Sequence, residues 1–104
     1  MVDDRSARPA AERTVQIDND RVRVSHWRFA PKAATGWHRH EFDYVIVPLL
    51  AGRLALDDGR EITTTDLEPA GSYFRPAGVE HDVANASGHD FAFVEIELKD
   101  GSSG

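Results

Sequence analysis

The chain has 104 residues, no cysteine and a formal net charge of −6. This length suits a single domain, and the lack of cysteine excludes disulfides and thiolate metal ligands. The acidic balance argues against a nucleic-acid partner. No apolar run approaches the roughly 20 residues that cross a bilayer. The first residues do not resemble a secretory signal, and we expect a cytoplasmic protein.

Short runs rich in Val, Ile, Thr and aromatic residues, separated by Gly, Pro and Asp, predict an all-β domain. We expect residues 1–13 to form a flexible N-terminal arm, 14–99 the β domain, and 100–104 a flexible tail. The predicted strands are 14–18, 21–30, 36–40, 43–49, 53–57, 60–65, 72–75, 80–85 and 90–98. A tight hairpin is expected at Asp57-Asp58-Gly59, because glycine accepts the positive φ of such turns.

The last predicted strand alternates between two kinds of residue. One face has four apolar residues, Ala92, Val94, Ile96 and Leu98, whereas Glu95 and Glu97 lie on the other. Alternation with period two places one face on a core and one toward solvent, so we expect the apolar face inside. Many short strands with tight turns are typical of a sandwich or barrel.

Three of the five histidines occur in a pattern suited to metal binding. His38 and His40 are two apart on one predicted strand, so they share a face, with Cα atoms about 7 Å apart. Two imidazoles at this spacing can bind one ion at about 2.1 Å from each ring nitrogen. His81 begins another strand after the Pro76-Ala77-Gly78 turn, and we hypothesise that it completes the site.

The residues around these histidines resemble the two motifs of the cupin superfamily, G-x5-H-x-H-x3,4-E-x6-G and G-x5-P-x-G-x2-H-x3-N. The first motif matches at His38, His40 and Gly52. The second, with one residue fewer after its glycine, matches at Gly71, Pro76, Gly78, His81 and Asn85. The resemblance implies a single-domain jelly-roll β-barrel, often a homodimer, with one metal ion held by His38, His40 and His81.

Two positions depart from the first motif. Its initial glycine falls on Lys32, where we expect a strained or altered backbone. Its glutamate falls on Tyr44 or Val45. Strand parity predicts that Tyr44 faces the ion. The extra residue between Tyr44 and Gly52 predicts a bulge around Pro48, and a bulge that begins earlier in the strand would turn Asp43 inward instead. Tyr44 and Asp43 are therefore alternative catalytic residues.

The missing glutamate bears on the chemistry. Three neutral imidazoles leave a divalent ion its full charge, so we expect an anionic substrate. Imidazole ligands suit Fe, Zn, Ni or Cu, and the ligand set leaves Mn open as well. Three-histidine cupins that resemble this ligand arrangement include diketone-cleaving and gentisate-type dioxygenases. We expect a metal-dependent enzyme on a small organic acid or diketone-like substrate, first a dioxygenase; the alternatives are an isomerase or decarboxylase and a non-catalytic metal- or ligand-binding cupin.

Residues beside the motifs are candidates for a substrate pocket. Trp37, Phe42 and Tyr73 form either its apolar wall or ordinary barrel core, and Arg75 is placed to bind a substrate carboxylate. Arg39 has the opposite strand parity to the histidines, which favours a surface position. Asn85 is expected to cap a turn or to pair with backbone.

Overall fold

Nine strands and no helix make up the part of the chain that the computed structural model describes, residues 8–99. The strands are β1 (Glu12–Asp18), β2 (Val22–Phe29), β3 (His38–Arg39), β4 (Asp43–Pro48), β5 (Gly52–Asp57), β6 (Ile62–Leu67), β7 (Tyr73–Arg75), β8 (Glu80–Asn85) and β9 (Phe91–Leu98). Each lies within two residues of a predicted strand at both ends.

The strands form two antiparallel sheets, with orders β1-β2-β9-β4-β7 and β3-β8-β5-β6. Their inner faces share one apolar core, to which the first sheet contributes Phe29, Ile46 and Phe91 and the second Leu54 and Val83. Burial of this shared face stabilises the pair of sheets. The all-β jelly-roll architecture is confirmed.

The first strand begins earlier than expected. β1 starts at Glu12, inside the segment assigned to the arm, and Ala10 forms a bridge with Ala34 ahead of it. Residues 1–7 of the expected arm and the expected tail, 100–104, lie outside the described residues.

Two predicted turn features are present. Gly59 has φ +92° in the β5–β6 hairpin, where Asp57 Oδ1 accepts a hydrogen bond from its amide at 2.9 Å. Lys32, at the glycine position of the first motif, has φ +70°. A side chain in this left-handed region costs free energy, so the loop before β3 retains the strain that we expected of a non-glycine residue.

The orientation predicted for β9 is wrong. The buried residues are Phe91, Phe93, Glu95 and Glu97, and the two glutamates are only 6% and 5% exposed. Alternation identifies which residues share a face, but not which face is inside. Here the interior is polar toward the end of β9, so the glutamates enter it and the apolar residues face outward.

An apolar row therefore crosses the outer face of the first sheet. Directly opposite residues on its five strands are Ile17, Val24, Ile96, Val45 and Phe74. Opposite residues of antiparallel strands lie on the same face. Ile17 and Phe74, at the two ends, are about half exposed.

Candidate metal centre

Strand pairing brings the three motif histidines together. His38 and His81 are directly opposite on β3 and β8. His40, just after β3, is anchored through both backbone groups: its amide donates to Val79 O at 2.9 Å and its carbonyl accepts from Gly78 N at 2.8 Å. Gly78 adopts φ +96°, so the glycine of the second motif shapes the turn that fixes His40.

The three rings converge through their Nε2 atoms. His40 Nε2 is 3.0 Å from His38 Nε2 and 3.1 Å from His81 Nε2. Two ligands at right angles, each about 2.1 Å from one ion, are about 3.0 Å apart. The two separations from His40 match this spacing, and possible ligand atoms of all three histidines lie within 4.8 Å of one another, which fits a metal site on one side of an ion.

Hydrogen bonding selects the tautomer of His38. Its Nδ1 is 2.9 Å from Gly36 O, which can only accept, so Nδ1 has the proton. Thr35 Oγ1 lies 3.2 Å from the same nitrogen. A neutral imidazole protonated at Nδ1 has its lone pair at Nε2, so His38 presents a metal ligand toward the cluster.

His40 lies between an aromatic ring and a carboxylate. Tyr44 stacks on it, with ring centroids 3.8 Å apart and planes 17° apart, and Glu95 Oε2 lies 3.8 Å from Nδ1. Burial, followed by the neighbouring His38, lowers the pKa of His40 to about 4. Burial, followed by the neighbouring His38 and His40, lowers the pKa of His81 to about 4. Both rings are neutral at pH 7, as metal ligation requires.

Tyr44 and Asp43 point to opposite sides of β4. The Tyr44 side chain is buried in the interior, where burial raises the pKa of its phenol above the ordinary value. Asp43 Oδ1 accepts a hydrogen bond from Ala77 N at 2.8 Å, in the turn before β8. Tyr44 is thus the residue that lies against the histidines, whereas Asp43 fixes the turn.

The four expected pocket residues separate into two pairs. Tyr73 and Arg75 line a small interior cavity of about 40 Å³ beside the histidines. Trp37 is half exposed and lies near Gly59, and Phe42 lies under the Arg23 guanidinium at 6.0 Å. Both precede a strand instead of lying within one, so strand parity does not direct them toward the site.

Five residues of the site were not expected from sequence: Arg13, Arg23, Trp27, Glu95 and Glu97. With His38 and His40 they line a second, polar cleft of about 170 Å³. Arg39, expected at the surface, is exposed and lines this cleft too. The alternation of β9 contained the signal for the two glutamates, but the opposite face was taken as the interior.

Asn85, the last residue of the second motif, has a structural role. Its amide donates to Phe29 O, Ala30 O and His89 O, and its Oδ1 accepts from Ser87 N. The expectation that it pairs with backbone is confirmed. The other two histidines lie away from the cluster: His26 pairs with Val94 on the outer face, and His89 Nδ1 lies against Asp90 O.

Comparisons with known proteins agree with this architecture. The family model described as a cupin domain matches residues 25–97. The β-alanine degradation protein BauB of Pseudomonas aeruginosa is 53% identical over 94 residues, which cover 90% of this chain and 99% of that protein. Among the described residues, no helix is long and apolar enough to cross a membrane.

Solved structures agree as well. The crystal structure of a cupin domain from Bordetella pertussis is 54% identical, covers 88% of this chain and 96% of its own, and superposes with a TM-score of 0.86. The polyketide cyclase RemF from Streptomyces resistomycificus shares the fold at 22% identity and a TM-score of 0.68, covering 88% of this chain and 69% of its own. The two histidine-containing motifs, the pair of packed antiparallel sheets and the family model over residues 25–97 agree, and the chain belongs to the cupin domain family.

Proposed function

We propose that this chain is a metal-dependent enzyme that acts on a small organic acid. The reaction that we propose first is oxygen-dependent cleavage of a diketone-like acid. The observation that supports it best is the convergence of three histidine Nε2 atoms in a partly buried site. A relative named for the degradation of β-alanine, itself a short carboxylic acid, supports a substrate of that size.

The residues of this chain prepare the site for such a substrate. His38, His40 and His81 supply lone pairs without charge, and a divalent cation bound there supplies Lewis acidity toward substrate oxygens. Tyr44 covers one face of His40 and excludes water from it. The interior cavity has room for little more than one water, so the substrate enters through the polar cleft.

A reaction that needs no oxygen is the second candidate, because the site contains a base. Glu95 is buried, receives a hydrogen bond from Trp27 Nε1 at 3.3 Å and lies 3.8 Å from His40. Burial, followed by Glu97, raises the pKa of Glu95 above the ordinary value. A carboxylate with that property can take a proton from substrate near neutral pH, as isomerases and decarboxylases require.

Metal content tests the basis of both reactions. We expect one transition-metal ion per chain in freshly purified protein by elemental analysis, and loss of at least nine-tenths of it in His81→Ala. His89→Ala is the matched control, because this exposed histidine lies outside the cluster. Equal metal content in His81→Ala and His89→Ala, or no metal in any of the three proteins, contradicts the proposal.

Turnover with and without air separates the two reactions. Protein loaded with ferrous iron is given a panel of short β-amino, β-oxo and β-diketo acids while oxygen uptake and substrate loss are recorded. Oxygen uptake matched to substrate loss supports cleavage; equal substrate loss under nitrogen supports the second reaction. If the protein retains an acid of the panel but changes none of them chemically, it is a non-catalytic cupin, and both proposed reactions are contradicted.

We propose further that the protein is a homodimer, in which the outer face of the first sheet packs against a second copy of this chain. The sheet face around the apolar row measures roughly 24 by 24 Å, an area of about 580 Å². A standard interface buries roughly 800 Å² of each partner. Ile17 and Phe74 at the ends of the row are half exposed in the single chain. Docking two such faces about a two-fold axis places apolar side chains on apolar side chains.

A further inference from the structure

Glu97 is a buried carboxylate that holds two arginines. Arg23 binds it through two parallel hydrogen bonds, Nε to Oε1 at 2.7 Å and Nη2 to Oε2 at 2.8 Å. Arg13 Nη2 donates to Oε1 at 2.9 Å, while Arg13 Nε donates to Ser25 Oγ at 3.0 Å. Ser25 is fully buried. Both guanidinium groups are therefore held in position by buried partners.

Each of these arginines keeps unused hydrogen-bond donors. An arginine has five N–H donors, and within residues 8–99 neither Arg13 nor Arg23 has a hydrogen-bond partner at Nη1. Their side chains are 33% and 26% exposed, and both line the polar cleft. The unused donors are thus open to a small molecule there.

Donor geometry, more than net charge, suits this end of the cleft to an anion. Two guanidinium groups share the carboxylate of Glu97, while Arg39, Glu41 and Glu95 line the same cleft and balance its overall charge. Although burial acts to raise the pKa of Glu97, the hydrogen bond from Arg23 and the charges of Arg23 and Arg13 hold it below the ordinary value. Glu97 is therefore ionised and its oxygens are already hydrogen-bonded, so what the two arginines offer a ligand is their Nη1 donors.

The distance to the histidines sets the size of that ligand. Glu95 and Glu97 are two apart on β9, so their Cα atoms are about 7 Å apart. Glu95 lies beside His40 and Glu97 beside the two arginines. His38 and His40 line the same cleft. A short acid of three or four carbons can reach from one end to the other.

We propose that Arg13 and Arg23 form a carboxylate-binding subsite that takes the acid group of a short substrate and directs its other polar end toward the histidine cluster. The subsite deepens the proposed function and rests on it for the identity of the bound acid as a substrate. Paired guanidinium donors suit a carboxylate because they match its two oxygens.

Binding of propionate to the metal-free protein tests the subsite without turnover. Propionate has the acid group and no second polar end, and binding is followed by NMR of the arginine Nε–H signals. We expect shifts at Arg13 and Arg23, and an affinity at least tenfold weaker in Arg13→Gln, the loss that one charge-assisted contact produces. Arg53→Gln is the matched control, since Arg53 forms an exposed pair with Asp66 and should bind propionate as wild type does.

Arg13→Gln should fold, because Arg23 retains both of its bonds to Glu97; metal content equal to wild type verifies this. Arg13→Lys keeps the charge and should recover part of the affinity. No shift at saturating propionate, or equal affinity in Arg13→Gln and wild type, overturns the subsite. Propionate binding at Arg13 in a protein that turns over no acid leaves the subsite standing and removes only the proposed enzyme activity.

Discussion

The ring of Tyr44 is stacked on the ring of His40, with centroids 3.8 Å apart. Tyr44 occupies the region of the first motif where the cupin pattern has its glutamate. Tyr44 therefore lies against a candidate metal ligand, and the stack limits the rotation of the His40 ring. Its buried phenol is protonated, since burial raises the pKa of Tyr44.

We predict that the aromatic ring of Tyr44, not its hydroxyl, maintains metal affinity. Tyr44→Phe keeps the stack and should bind Co²⁺ within about threefold of wild type, whereas Tyr44→Leu should bind 10–100-fold more weakly, the usual range for groups that orient ligands. Competition with a chelator measures both. Equal losses in the two variants would assign the effect to the hydroxyl.

The metal-free protein should lose stability between pH 6.5 and pH 4. His40 and His81 have pKa values of about 4 when folded and near 6.5 when unfolded. The unfolded chain binds more protons in that window, so stability falls as pH falls. The raised pKa of Glu95 acts in the opposite direction.

Comparison of variants isolates the histidine effect in thermal melts recorded from pH 7 to pH 4. His81→Gln removes one titrating ring, so its melting temperature should change less across the window than that of wild type. His89→Gln should follow the wild type. A steeper change in His81→Gln than in wild type would refute the assignment.

Gly52, the last glycine of the first motif, should not accept a side chain. A Cβ there would lie 2.4 Å from Cδ1 of Phe91 and 2.9 Å from Ser87 Oγ, and Phe91 is fully buried. Gly52→Ala is expected to lower the free energy of unfolding by about 1–3 kcal/mol, the usual cost of overpacking. Urea denaturation measures it. At Gly88 a Cβ meets nothing within 4 Å, so Gly88→Ala should unfold near the wild-type midpoint.

A charge in the apolar row should separate the proposed dimer. Ile96 lies at the centre of the row, between Val24 and Val45, so Ile96→Lys places an unpaired charge in the interface. Sedimentation velocity should show a dimer for wild type and a monomer for Ile96→Lys. Thr64→Lys, at an exposed position of β6, should remain dimeric. A monomeric wild type at micromolar concentration rules out the second copy.

Local patterns were sufficient for the strands and for the three histidines. β-branched and aromatic runs between Gly, Pro and Asp predicted all nine strands, because backbone preferences act over a few residues. The motif spacing identified His38, His40 and His81, and parity predicted that Tyr44 shares their side. Trp37 and Phe42 were considered for the pocket because they lie beside the motifs; they lie just outside strands, where side chains do not alternate.

The polar half of the site depended on long-range packing. Whether Glu95 and Glu97 enter the interior is decided by what meets them there: Arg13 on β1 and Arg23 on β2 pair with Glu97, and His40 lies beside Glu95. These partners are distant in the chain, and a buried charge is tolerated only where such partners are present. Alternation along β9 therefore predicts which residues share a face, whereas contacts with other strands determine which face lies toward the histidines.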